Sequence, residues 1–117
     1  MTSFGIILTG GPYQTERWET AFHISNAALD RNDKVTMFLF MDGVYNVLSK
    51  ERFTAMEKLP KDYFSSLIQK GATIYACEVC TNNRGLEEGK EFIPGVKVAG
   101  AVIVSSIAAD CDRMITV

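Results

Sequence analysis

Apolar residues fall along the chain in short dense runs, separated by longer stretches in which they recur every third or fourth position. Residues 3–9, SFGIILT, form the first dense run, the pattern of a strand buried on both faces. Gly10-Gly11-Pro12 turns the chain. The spacing then predicts a helix over 15–31 whose inward stripe is Trp18, Ala21, Phe22, Ser25, Ala28 and Leu29. A second strand is expected over 34–41, KVTMFLFM, ended by Asp42-Gly43. Residues 44–70 read as helix-rich with a break at Pro60, because proline has no N–H to give to a helix interior. ATIYA, 72–76, makes a third strand, followed by a short helix that Gly85 stops. A fourth strand over 96–99, a helix over 101–109 and a fifth strand in RMITV, 113–117, complete the pattern. Apolar strands alternating with helices imply a parallel sheet covered on both faces. The expected fold is an α/β, three-layer α/β/α sandwich on a five-stranded parallel sheet, with residues 1–117 as a single domain.

Length and charge narrow the classes of function. A chain of 117 residues can bury a core without disulfides or metals to staple it. A net charge of −2, with 12 scattered Lys and Arg residues, leaves no phosphate-tracking stripe, so neither nucleic acid nor an anionic membrane is an expected partner. The apolar segment 96–109 is too short to span a bilayer and is interrupted by Ser105 and Ser106. The opening MTSFGIILTGG lacks the basic end and long apolar stretch of a signal peptide, so a cytoplasmic location is expected. Three cysteines, an odd number, do not make a disulfide framework, and each thiol needs its own explanation.

Several candidate sites are weak. LTGGPYQTER places a glycine turn before a helix, but it has neither the G-x-G-x-x-G spacing nor the G-K-[ST] ending of phosphate loops. Asp42 lies too far beyond those glycines to be the ribose-binding acid of a dinucleotide fold. His23 is the only histidine, which removes a His-rich metal site, and no G-x-S-x-G elbow is present. Cys77-x-x-Cys80 stands out by position. It sits at the carboxyl end of the third strand, where chemistry gathers in parallel sheets. A thiol at a helix entry has its thiolate favoured by unpaired N–H groups, and Arg84 adds positive charge if it folds back. Cys111 reads as a small packing residue at the end of the last helix.

Three chemistries remain open for the pair. A zinc site needs four ligands, which one C-x-x-C, a distant Cys111 and a lone His23 fill poorly unless subunits share it. A thioredoxin-like dithiol uses the same motif, but early in the chain and before a terminal β-hairpin. A sulfur carrier needs one accessible nucleophilic thiol that holds a persulfide and passes the sulfur on by thiol exchange. The carrier fits best. Tyr13, Thr15 and Asp42 are placed near the thiols because each follows the carboxyl end of a neighbouring strand.

The chain resembles the DsrE/DsrF-like family of sulfur-relay proteins over nearly its whole length. The likeness rests on GGPYQTERWETAFHIS, FLFMDGV, CEVCTNNRGL and GVKVAGAVIVSSIAADCDRMITV, and most specifically on C-x(6)-R-G, matched by Cys77, Arg84 and Gly85. The resemblance implies that Cys77 receives persulfide sulfur, in a sulfurtransferase-like role, from donor proteins or small sulfur compounds and passes it to acceptors. It also implies a five-stranded parallel sheet and assembly into dimers, trimers or hexamers. No cofactor and no metal are expected. The alternatives are a non-catalytic oligomeric module that binds a ligand or partner in the same cleft, and a redox or zinc role for the C-x-x-C pair. Surplus apolar residues in the last helix, with Phe53, Met56, Tyr63 and Phe64 in the middle segment, point to surface covered by another subunit. Cys77, at the helix entry, is expected to react before Cys80.

Overall fold

The computed structural model describes residues 1–51 and 59–117. Strands β1 (Ser3–Leu8), β2 (Lys34–Leu39), β3 (Thr73–Cys77), β4 (Lys97–Ala99) and β5 (Arg113–Thr116) form one five-stranded sheet in the order β4-β3-β2-β1-β5. Every neighbouring pair is parallel. Helices α1 (Arg17–Asp30), α2 (Pro60–Gln69), α3 (Glu78–Asn83) and α4 (Ile103–Asp110) connect them, with a 3-10 segment at Met41–Val47. The α/β alternation legible in the sequence is therefore the fold. Among the described residues no helix is long and apolar enough to cross a membrane.

Parallel register carries the hydrophobic pattern across the sheet in rows. Ile6 lies opposite Met37 and Met37 opposite Ile74, while Leu8, Leu39 and Ala76 form the next row of the same face. All six are essentially inaccessible. Trp18, Ala21, Phe22, Ser25 and Ala28 of α1 are buried as the stripe predicts. The opposite face is more polar. It carries Gly5, Thr36 and Thr73 in one row, and Ile107 of α4 lies over Gly5. Between α4 and this face a cleft of about 320 Å³ stays open, lined among others by Thr36, Thr73, Tyr75, Asp110 and Cys111. The strands are thus not equally covered on both faces, because α4 is short and sits over one side of the sheet.

Two expectations about the middle segment change. Pro60 is the first residue of α2, not a break within a helix. A proline there loses no hydrogen bond, because the first-turn N–H has no intrahelical acceptor anyway. Phe64 is not surface for a partner: it is fully buried in the core. Tyr63 packs edge-on to Trp18 and Phe22, with ring centroids 5.5 and 4.8 Å away. These aromatic pairs, each worth about 0.5–1.5 kcal/mol beyond area burial, fasten α2 to α1. Phe53 and Met56 lie outside the described residues.

Candidate thiol site

The carboxyl ends of β2 and β3 lie side by side, with Leu39 opposite Ala76. β3 runs one residue further than the sequence pattern suggests. Cys77 is both its last residue and, at φ −63 and ψ 126, the N-cap residue of α3. Cys80 follows one turn later. Both are free thiols, and both are buried, Cys77 at 1% exposure and Cys80 at 7%. β2, in contrast, ends early. After Phe40 N–H donates to the Leu8 carbonyl at 2.9 Å, Met41 turns into the left-handed region at φ 53. That conformation costs a non-glycine residue about 1–2 kcal/mol. It aims the Met41 N–H at Cys80 Sγ, 3.1 Å away.

Arg84 folds back, and its contacts are to Cys80 and Asp42. Its Nη1 donates to the Cys80 carbonyl at 3.1 Å, and Nε and Nη2 donate to Asp42 Oδ1 at 3.0 and 2.6 Å. The guanidinium also lies 5.8 Å from the centre of the Tyr45 ring, a cation–π geometry. Gly85 explains why an Arg-Gly pair suits this place. At φ +70 it ends α3 in a Schellman motif, its N–H bonding Asn82 O at 3.1 Å and Leu86 N–H bonding Thr81 O at 3.1 Å. The helix stops directly after Arg84, and the side chain is held alongside the thiol turn.

The Cys80 thiol has a distinct setting. Burial pushes it above the ordinary thiol range, and the neighbouring Cys77 side chain pushes it the same way. The Met41 N–H and the Arg84 charge act in the opposite direction without reversing the shift. Cys80 therefore keeps its proton near neutral pH.

The other residues named from the sequence divide by distance from the thiols. Asp42 is in the site through Arg84. Tyr13 shares a cleft of about 240 Å³ with Asp42, Gly11, Pro12, Gln14 and Tyr45. Burial and a hydrogen bond with Glu51 push its phenol up to about 12. Thr15 lines a neighbouring groove with Tyr13, and its Oγ1 accepts from Arg17 N–H at 3.4 Å, at the start of α1. Cys111 is at the far end of the sheet, beside Ser3, Lys34 and Thr73, which begin three of the strands. Within one chain it cannot join the C-x-x-C pair around a metal.

The model of the DsrE/DsrF-like family matches residues 2–117. The chain belongs to the DsrE/DsrF-like family. Among its relatives, the uncharacterized protein MJ0989 of Methanocaldococcus jannaschii is 30% identical over 113 residues, covering 97% of each chain. The uncharacterized protein MK0008 of Methanopyrus kandleri is 33% identical over 96 residues, covering 80% of this chain and 76% of that one. The crystal structure of the ychN protein from E. coli superposes with a TM-score of 0.91 over 100% of both chains, at 20% identity. That likeness concerns the fold.

In this DsrE/DsrF-like chain three contributors to the site are not evident from residue type. Met41 acts through its backbone N–H, and Tyr45 through its ring beneath Arg84. Asn46 is fully buried and acts as a stitch: its Nδ2 donates to Gly10 O at 2.9 Å and Gly43 O at 3.0 Å. It ties the glycine turn after β1 to the segment that carries Met41 and Asp42. The Asp42-Gly43 turn signal marked the right segment, but a turn signal does not say where an N–H points.

Proposed function

We propose that the chain is a cytoplasmic sulfur-trafficking protein that carries sulfane sulfur as a persulfide on Cys77. The observation that carries this reading is the paired thiols at the carboxyl edge of the sheet, Cys77 at the N-cap of α3 and Cys80 one turn on, with Arg84 folded back onto that turn. The thiolate is the form that attacks. Loading is then a thiol exchange: Cys77–S⁻ attacks the outer sulfur of a persulfide R–S–SH, forming Cys77–S–SH and expelling R–S⁻. Discharge is the same step run onto an acceptor thiolate, with Cys77 leaving as the thiolate. No cofactor takes part. Cys77 is 1% exposed, not the accessible thiol the sequence reading called for, so meeting a donor requires the thiol turn to open. Donors and acceptors are accordingly small sulfur compounds or the reactive cysteine of another protein.

The test is intact-mass analysis after exposure to inorganic polysulfide without reductant. The expected first product, sampled at early times, is protein heavier by one sulfur, returned to its starting mass by a thiol. Protein that gains no thiol-labile sulfur is not a carrier. A second reading, a non-catalytic ligand-binding module, is favoured by the cleft between Tyr13 and Asp42, with its aromatic rim and one carboxylate. It predicts a ligand whose binding survives loss of Cys77.

The carrier is also proposed to be a homo-oligomer, a dimer, trimer or hexamer. Support comes from α4, where Ile107 is the only buried residue and Val102, just before the helix, is 81% exposed. Apolar surface of this kind marks an interface. Light scattering at micromolar concentration should give a multiple of the 13.0 kDa chain mass; a monomer would remove this element of the proposal.

A further inference from the structure

Cys80 is better provided with polar partners than a packing cysteine requires. A small buried residue needs only apolar neighbours. Here the Met41 N–H reaches its sulfur at 3.1 Å from a left-handed backbone, and Arg84 is fixed against its carbonyl by Asp42. An amide donor and a cation beside a sulfur are the means of receiving negative charge on it. Cys80 lies in the first turn of α3, whose N-cap is Cys77, and the Cys77 side chain is near enough to raise the Cys80 thiol. Once Cys77 carries a persulfide, its Sγ becomes the inner sulfur of the S–S bond, and Cys80 is the thiol already next to it. The C-x-x-C spacing, from strand end to the first turn of α3, is compatible with a disulfide.

We infer that Cys80 is a reacting thiol that resolves the persulfide on Cys77, closing a Cys77–Cys80 disulfide and releasing sulfide. The inference rests on the persulfide reading. In the step, Cys77–S–SH and Cys80–SH become Cys77–S–S–Cys80 and H₂S. The bond between the two Sγ atoms forms, and the bond from Cys77 Sγ to the sulfane sulfur breaks. The sulfane sulfur takes up the electron pair of the broken bond and is reduced to sulfide, while Cys80 is oxidised. The Cys80 proton leaves with the sulfide. As that proton departs, the Met41 N–H faces the charge on Cys80 Sγ, and Arg84, held on the Cys80 carbonyl, keeps a positive charge near it. The resulting disulfide returns to the dithiol by exchange with an external dithiol reductant. The protein would then deliver sulfur in two forms, as a persulfide to an acceptor thiol or as free sulfide when no acceptor arrives.

The experiment loads wild type, Cys80→Ser and Cys80→Ala anaerobically with inorganic polysulfide, desalts them, and follows free sulfide and intact mass with time. Wild type should lose its added sulfur as sulfide and become lighter than the reduced protein by two hydrogens. Both variants should hold the added sulfur, with loss of sulfide release. If wild type retains its sulfur as long as the variants do, the resolving role is overturned and the carrier reading stands. If none of the three loads, the carrier reading fails and the resolving role fails with it. The two variants change the side chain in opposite ways, so a folding defect in one leaves the other as a test.

Discussion

Replacing Cys77 with serine should abolish sulfur loading, with polysulfide-treated protein keeping its starting mass, whereas Cys80→Ser should load as wild type does. The asymmetry follows from the different settings of the two thiols. Cys80 is the one pushed up, by burial first and then by its neighbour Cys77, so near neutral pH in the unloaded protein it stays protonated and is the poorer nucleophile. Cys77, at the N-cap of α3, is the sulfur expected to attack. A serine hydroxyl at Cys77 has no comparable nucleophilicity toward sulfur. Cys80 takes no part in the bond made during loading, so loading survives a serine there. The same asymmetry orders alkylation by a small reagent: Cys77 first near neutral pH, Cys80 only as the pH rises beyond the ordinary thiol range. Peptide mapping after brief iodoacetamide treatment reads the order directly. Equal loss of loading in both variants, or Cys80 modified first, would reverse the assignment of roles.

Gly43→Ala should destabilise the protein by about 2–4 kcal/mol, a fall in Tm of about 10 °C. A Cβ at this position would lie 2.3 Å from the Leu8 carbonyl oxygen and 3.1 Å from its carbon. Neither atom can step aside cheaply. The Leu8 oxygen is backbone at the end of a central strand, and it already accepts from Phe40 N–H at 2.9 Å. The relief available is to push the Met41–Val47 segment off the sheet edge. That breaks the Asn46 hydrogen bond to the Gly43 carbonyl and carries Met41 and Asp42 away from Cys80 and Arg84. Below its lowered Tm the variant should therefore also lose sulfide release. Gly100→Ala is the control, because nothing lies within 4 Å of a Cβ there. Thermal unfolding followed by circular dichroism checks both, and a Gly43→Ala protein that melts with wild type would show that the Met41–Val47 segment yields to the added Cβ at no cost.

Gly43 also shows how far a sequence reaches. Asp-Gly after an apolar run announces a turn, and the turn is there, but the sequence holds no trace of the Leu8 oxygen that leaves room for nothing larger. Met41 is similar. By pattern it belongs to the second strand, since it is apolar and continues KVTMFLFM. Its left-handed φ arises from the contacts of Phe40 with Leu8 and of its own N–H with Cys80, which lie 32 and 39 positions away in sequence. Arg84 lies between the two cases: its place before Gly85 in C-x(6)-R-G marked it, while its partner Asp42 is 42 positions distant.

What the sequence by itself determined is what depends on near neighbours along the chain. The alternation of dense apolar runs and helical stripes is such a property, as are the glycine that stops α3 and the Pro60 that begins α2. So is the match of residues 2–117 to its family, and with it the attention drawn to Cys77. Tertiary structure alone decided which groups converge. Parallel pairing of β2 with β3 brings Met41 beside Cys80, and packing of α2 on α1 buries Phe64 that pattern alone left for a partner. Burial and the contacts of Met41 and Arg84 then set Cys80 apart from Cys77. The physical reason is that spacing along a chain sets local geometry, whereas a hydrogen bond or a buried charge depends on atoms that only the folded backbone brings within about 3 Å of each other.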